Sequence, residues 1–386
     1  MLLNQSSYFC PTQIVLGEGC FRQLPSLLAE KQARRVLFVV DPALKKQEFV
    51  QEIQKEMDNL GVKFAVHAEV SPDPMDTEVS NALEVSESIG ADLVLGVGGG
   101  SALDVAKAVA IVATNGGRIH DYTGIRMFAT PPLPLIALPT TAGTGSEVSG
   151  SCVITDTESG MKMSIRHAEL NPARVAILDP LVLASLPVSV ACHSALDAFV
   201  HAFESYISRN SNPVTDGVNL HAIRLITDNI RPFVANRSNS HAALNMLCGS
   251  NMAGMTFGQT GLGNVHCMAR FIGARYHLSH GLSNALCLPV VARYNMIASP
   301  ERYAQVAKAM GCQIEGLSVL EAAELAIDAI EALCIDLGIP RHLAEVGVKE
   351  GDIDELADLC AEAGYDRWNP RSTTRNDFVN LFKAAL

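Results

Sequence analysis

At 386 residues the chain exceeds what one hydrophobic core usually organises, so two domains are expected. Lys and Arg number 29 against 41 Asp and Glu, a net charge of −12, and no basic cluster forms a stripe, which argues against a nucleic-acid partner. Hydrophobic residues at 48% and charged residues at 18% exclude a disordered chain and match a large globular enzyme.

The ten cysteines are scattered singly with no C-x-x-C pair, the usage of reduced thiols in a cytoplasm. The opening stretch Met1-Leu-Leu-Asn-Gln-Ser-Ser-Tyr8 has no charged region leading into an apolar one, so no secretory leader is expected. No run of 18 apolar residues occurs, so no membrane span is expected either.

Residues 35–41, Arg-Val-Leu-Phe-Val-Val-Asp, form an apolar run ending in an acid, the pattern of a buried parallel strand. A helical stretch over about 45–60 follows, then a strand at 62–66 and a turn at 71–74. Residues 77–89 read as a helix and 92–98 as the next strand. Such alternation predicts a parallel sheet with ligands at the carboxyl ends of its strands.

The 92–98 strand runs into Gly98-Gly99-Gly100-Ser101, and 102–114 is helical. Ser101 reads as the helix N-cap and Asp104 as its capping-box partner. Consecutive glycines let a ligand approach the backbone, and the helix N-terminus favours an anion such as a pyrophosphate. Ser101 stands where G-x-G-x-x-G has its third glycine, so a plain tight turn stays open beside the nucleotide reading. A second polar turn, Thr140-Thr141-Ala-Gly-Thr144-Gly-Ser-Glu147, follows a buried strand at 133–139. Its hydroxyls and glycines suit either a nucleotide-contacting loop or a connection that satisfies its own backbone. Asp41, closing its strand, can accept from ribose hydroxyls and would repel a 2′-phosphate, which favours NAD over NADP.

A last short strand covers 175–179, and from about Ser189 helical patterns take over. The expected division is therefore 1–185, an α/β nucleotide-binding domain, and 186–386, a helical domain. In the apolar segment Ser194-Ala-Leu-Asp197-Ala-Phe-Val-His201-Ala-Phe-Glu-Ser-Tyr206, Asp197 and His201 stand four apart and share a helix face. A carboxylate and an imidazole so placed make half of a divalent-metal site. His193 has the same spacing to Asp197, so spacing does not exclude it. His266 and His280 are the histidines offered for the other half. On one helix they would lie roughly 21 Å apart, at about 1.5 Å per residue. The chain must turn between them, so a helix carrying His266 is predicted to end between residues 274 and 277.

These pieces stand together with Asp179-Pro180, Leu186-Pro187, Gly263-Asn-Val-His266, Ser279-His280-Gly281 with Asn284-Ala285, and Asn369-Pro370-Arg371. In this order they resemble the iron-containing (group III) alcohol dehydrogenase family, along the whole chain. The resemblance implies an α/β N-terminal NAD-binding domain plus an all-α C-terminal domain, of the dehydroquinate synthase-like architecture. It implies metal ligation by Asp197, His201, His266 and His280, with Fe²⁺ as the ion and Zn²⁺ suited to the same donors. Cofactor contacts carry over to Asp41, Gly98, Gly99, Gly100, Ser101, Thr140, Thr141, Thr144, Lys162 and Leu183. A homo-oligomer, dimeric or larger, is implied as well.

One position departs from the family pattern. Four residues after the His266 equivalent the family usually carries a second histidine, suspected of proton relay, and this chain has Arg270. Arginine stays protonated and cannot act as a base at neutral pH. His277 is the nearest replacement, or else a surface histidine. Arg270 either grips an anionic substrate group in a bidentate contact or pairs with a structural acid.

The expected activity is NAD(H)- and metal-dependent interconversion of a primary alcohol and its aldehyde, with a short anionic aldehyde suggested by Arg270. Three alternatives stand beside it: a zinc-dependent cyclase or lyase of the same fold, a transhydrogenase that keeps its cofactor bound, and a non-catalytic binding protein.

Overall fold

Short apolar runs separated by amphipathic stretches build the first half of the chain into a parallel sheet flanked by helices. The computed structural model describes residues 6–386; the first five residues, part of the stretch read for a secretory leader, lie outside the described residues. The chain forms two compact units, one spanning Phe9–Leu186 and one built from Pro187–Leu386.

In the first unit the elements run β1 (Gln13–Leu16), α1 (Leu24–Glu30), β2 (Arg35–Val40), α2 (Glu48–Asn59), β3 (Lys63–His67), α3 (Asp76–Ile89), β4 (Leu93–Gly98) and α4 (Gly100–Asn115). Then come β5 (Gly124–Ile125), β6 (Leu135–Pro139), β7 (Ser151–Thr155), β8 (Lys162–Arg166) and β9 (Val175–Leu178). Six strands pair in the order β1-β9-β6-β4-β2-β3, all parallel. From β2 the chain moves to β3 on one side, and from β4 to β6 on the other. The boundary between β2 and β4 is thus the switch point at which doubly wound sheets open a crevice at their strands' carboxyl ends. Asp41 follows β2 and the three glycines follow β4, so both stand at that boundary.

A small second sheet, β5-β8-β7, was not foreseen from the sequence. Its β7–β8 hairpin alternates buried with half-exposed positions over only five residues per strand, too short a period-2 signal to stand out.

The Pro187–Leu386 unit has no strand among its described residues. Its helices are α5 (Val188–Ile207), α6 (Pro213–Ala235), α7 (Ser240–Thr260), α8 (Asn264–Tyr276), α9 (His280–Met296), α10 (Pro300–Ala309), α11 (Val319–Asp336), α12 (Ile353–Glu362) and α13 (Arg375–Ala385). From Ala195 to Ile207 α5 is buried on every side, and it packs against α6, α7 and α9. An all-round apolar helix has no solvent face to satisfy, so it serves as the axis of the bundle. The predicted turn between His266 and His280 is present: α8 stops at Tyr276, and α9 begins at His280. No helix of the described residues is long and apolar enough to cross a membrane.

Candidate active site

At the β2/β4 boundary the two polar turns of the sequence meet. The Thr140 amide donates to the Gly98 carbonyl at 3.0 Å, so the second turn departs directly beside the first. A Cβ on Gly98 would lie 2.7 Å from Ala102 Cβ and 3.0 Å from Asp41 Cβ; one on Gly100 would lie 2.8 Å from Thr144 Cγ2. Glycine is required here because the backbone, Asp41, Thr141 and Thr144 approach too closely for a side chain. Helix α4 starts at Gly100 with Gly99 as its N-cap and no side-chain cap, which leaves its first amides for an anion.

The Ser101–Asp104 capping box is not formed. The helix begins one residue earlier than expected, and Ser101 Oγ donates instead to the Pro72 carbonyl at 2.6 Å. Asp104 accepts from Ser146 Oγ at 2.6 Å and from the Val153 amide at 2.9 Å, which ties α4 to the second turn. Buried Lys107 adds to this tie by donating to the Ser149 and Ser151 carbonyls. Burial lifts the Asp104 carboxyl and lowers the Lys107 ammonium from their ordinary values, each countered by the other's charge.

Other nucleotide candidates are placed less directly. Asp41 Oδ1 accepts from the Ala43 amide at 2.9 Å, leaving its second oxygen available. Thr140 is buried, whereas Thr141 and Thr144 are half-buried. Lys162 opens β8 and is paired with Asp73 at 2.5 Å. Leu183 is fully buried within the turn Pro180–Leu183, so only its backbone can meet a ligand.

In the helical unit Asp197, His201, His266 and His280 bring one donor atom each within 4.8 Å of one another. Asp197 Oδ1 lies 3.8 Å from His266 Nε2 and 3.6 Å from His280 Nε2, and Asp197 Oδ2 lies 3.8 Å from His201 Nδ1. The His201 ring is clamped between Phe257 at 4.4 Å and His266 at 4.7 Å, both near parallel. His280 is 53% exposed while the other three donors are buried, so the cluster opens on its side. Close approach of α9 to α5 depends on Gly281, where a Cβ would fall 2.0 Å from the His193 carbonyl oxygen. His193 itself is directed elsewhere, with Nδ1 2.9 Å from Ser279 Oγ.

The polar inventory of this cluster fits a cation. Asn284 Nδ2 donates to Asp197 Oδ1 at 2.7 Å and lies 3.2 Å from both His266 Nε2 and His280 Nε2. An amide nitrogen has two hydrogens, and three acceptors converge on it, so a lone pair is left over. Three imidazoles and a carboxylate form an accepted donor set for Fe²⁺ or Zn²⁺. Burial raises the Asp197 carboxyl, but His201, His280 and His266 outweigh it and hold the group below its ordinary value. Burial, reinforced by His201 and His280, holds the His266 imidazole well below its ordinary value, in the neutral form that a metal requires.

Sequence reasoning passed over two residues that organise this cluster. Asn284 is one. The other is Glu204, fully buried, whose Oε2 lies 2.6 Å from His266 Nδ1 and whose two oxygens accept from the Val265 and His266 amides at 2.8 and 3.3 Å. Burial pushes its carboxyl up to about 7 despite those donors. The available signal was a buried-face acid three residues past His201. The Asn369-Pro370-Arg371 motif also finds its place: Asn369 Oδ1 accepts from the Asn264 amide at the start of α8.

Arg270 lies one turn beyond His266 on α8, half-buried, with no hydrogen bond or ion pair among the described residues; its one contact is the Phe271 ring. His277 is not brought to the cluster. It closes α8 in a left-handed conformation, φ 54°, and is exposed. Eleven residues of helix separate it from His266, roughly 16 Å along the axis.

The family model "Fe-containing alcohol dehydrogenase family, C-terminal" matches residues 191–386, and "Iron-containing alcohol dehydrogenase" matches residues 11–180. The chain is 41% identical to the 1,3-propanediol dehydrogenase of Klebsiella pneumoniae, covering 100% of this chain and 98% of that protein. It is 37% identical to the NAD-dependent methanol dehydrogenase of Bacillus methanolicus, covering 99% and 100%. A solved 1,3-propanediol oxidoreductase superposes with a TM-score of 0.96 at 39% identity, covering 99% of this chain and 100% of that one. With its donor cluster and paired nucleotide turns in place, the chain belongs to the iron-containing alcohol dehydrogenase family.

Proposed function

We propose that this chain interconverts a short primary alcohol and its aldehyde, using NAD(H) and a divalent ion, and that Arg270 receives an anionic group on the substrate. The observation that carries the reaction class is the four-donor cluster, read together with relatives that are named as alcohol dehydrogenases. The anionic preference is supported by Arg270 itself, which keeps its charge unpaired one helical turn from His266. Desolvated guanidinium groups with no acid beside them are well suited to carboxylate, sulfonate or phosphonate.

Asp197, His201, His266 and His280 would hold the ion, Fe²⁺ by family. When bound, the ion supplies Lewis acidity toward a substrate oxygen and the nicotinamide supplies a hydride acceptor or donor. The protein's own part is orientation. Gly98 to Ser101 and Thr140 to Thr144 would position the dinucleotide, with the α4 N-terminus toward its pyrophosphate and Asp41 toward a ribose hydroxyl. Asn284 and Glu204 fix the donor side chains. Arg270 stays protonated at any working pH, so it holds an anion and takes no proton. We assign nucleotide binding to residues 1–185 and metal binding to 186–386. The proposed working state is a cytoplasmic homo-oligomer; ten cysteines without one disulfide support the compartment, and light scattering tests the assembly.

The test is anaerobic NADH oxidation by Fe²⁺-loaded protein on length-matched pairs of short aldehydes, one neutral and one ending in an anion. A preference of about tenfold for the anionic member, roughly 1.4 kcal/mol, is expected, and Arg270→Ala should abolish it. Equal rates would leave the oxidoreductase and remove the anionic preference. No net NADH turnover with any aldehyde would favour the lyase or transhydrogenase alternatives.

A further inference from the structure

We infer that Glu204 is a positioning residue, which fixes the ring tautomer and orientation of His266 and through it sets the cluster's affinity for metal. This rests on the metal-binding reading above. A neutral imidazole carries one proton, and the nitrogen that faces an ion must be the one without it. In His266 that nitrogen is Nε2, directed at Asp197 Oδ1 and Asn284. The proton must therefore sit on Nδ1, and Glu204 Oε2 stands 2.6 Å from Nδ1 to accept it.

The surroundings of Glu204 leave it no other role at that atom. Its oxygens already face the Val265 and His266 amides at the start of α8, so the carboxyl is ringed by donors and acts as an acceptor. Gly263 makes room for it: a Cβ there would lie 3.0 Å from Glu204 Oε1 and 2.8 Å from Asn369 Oδ1. The same residue thus anchors the first turn of α8 and the ring that the turn carries, so the backbone and side chain of His266 are held by one rigid group. Helix capping alone would need only the amide contacts. The contact with Nδ1 is additional, and outer carboxylates of this kind change metal affinity by about 10- to 100-fold.

Glu204→Gln keeps the shape but offers one acceptor oxygen where amides and ring converge. The experiment is an anaerobic Co²⁺ titration against a competing chelator, followed by the visible absorption of bound Co²⁺, in a double-mutant cycle with His266→Ala. Glu204→Gln should weaken Co²⁺ binding about 10- to 100-fold in the wild-type background and by less than about twofold in His266→Ala, because its effect passes through that ring. An equal loss in both backgrounds, or no loss in either, overturns the inference and makes Glu204 a helix cap. Should Glu204→Gln fail to fold, ¹⁵N-histidine NMR of the metal-free wild-type protein decides. A protonated Nδ1 and bare Nε2 on His266 are expected, and the opposite tautomer overturns the inference. A wild-type chain that binds no Co²⁺ at all sinks the metal reading itself, and this inference with it.

Discussion

The nucleotide turns of the first unit and the donor cluster of the second are built by opposite means. At the β2/β4 boundary the functional surface is backbone: Gly98, Gly99 and Gly100 bring main chain against Asp41, Thr141 and Thr144, and the amides at the start of α4 are uncapped. In the helical unit the surface is side chain: an acid and three imidazoles come from α5, α8 and α9, with Glu204 and Asn284 bracing them. A backbone site needs space, and a side-chain site needs orientation. Each should therefore fail in its own way.

The largest expected effect comes from removing a donor. Asp197→Ala should lower kcat/KM by roughly 10³-fold, several kcal/mol of charge stabilisation, while NADH affinity, carried by other residues, serves as the control. Steady-state rates alongside NADH fluorescence titration would read both. A variant that keeps full rate would dissolve the distinction between the two sites by showing the cluster to be dispensable.

Next come the glycines. Gly281→Ala drives a methyl to 2.0 Å from the His193 carbonyl, where backbone must move, and should cost about 3 kcal/mol in urea unfolding. Gly98→Ala meets Ala102 Cβ at 2.7 Å and Asp41 Cβ at 3.0 Å, where the helix start can give a little, and should cost about 1–2 kcal/mol while weakening NADH binding. If Gly98→Ala proved the costlier, the backbone-built site would be the more rigid of the two.

The smallest effect is one of pH and belongs to the first unit. Asp156 accepts from Ser159 Oγ at 2.6 Å and from the Glu158 amide at 3.0 Å, and these contacts lower its carboxyl from 3.8 to about 2. A carboxyl depressed on folding adds stability above its unfolded value and loses it as pH falls through the folded one. The advantage of the wild type over Asp156→Asn should therefore be present at pH 5, shrink from pH 4, and vanish near pH 2. Unfolding midpoints across that range would show it, and a difference that persists at pH 2 would assign the effect to packing.

What the sequence revealed follows the same division. Asp197 and His201 were legible because helical spacing places them on one face, and the break between His266 and His280 because one helix could not join them. The glycine turns were legible as turns. Ser101 was misread as a cap since its partner, the Pro72 carbonyl, lies 29 residues away, and the partners of Asp104 lie 42 and 49 residues away. Glu204 was passed over for a like reason: its donors arrive from α8, some 60 residues on. His277 looked close to the cluster in sequence but stands at the far end of α8 from it, because a helix converts residue number into length.

By itself the sequence determined which segments are strand and which are helix, the order in which they alternate, and which donor types are available at helical spacing. Those are local properties, set by side-chain period, glycine freedom and the rise of a helix. Only the tertiary structure decided which lone pair each donor meets: that Asn284 faces three acceptors, that Glu204 holds the Nδ1 side of His266, and that Arg270 meets no acid. Hydrogen bonds act over about 3 Å, and no spacing rule along a chain brings atoms that close from helices so far apart in sequence.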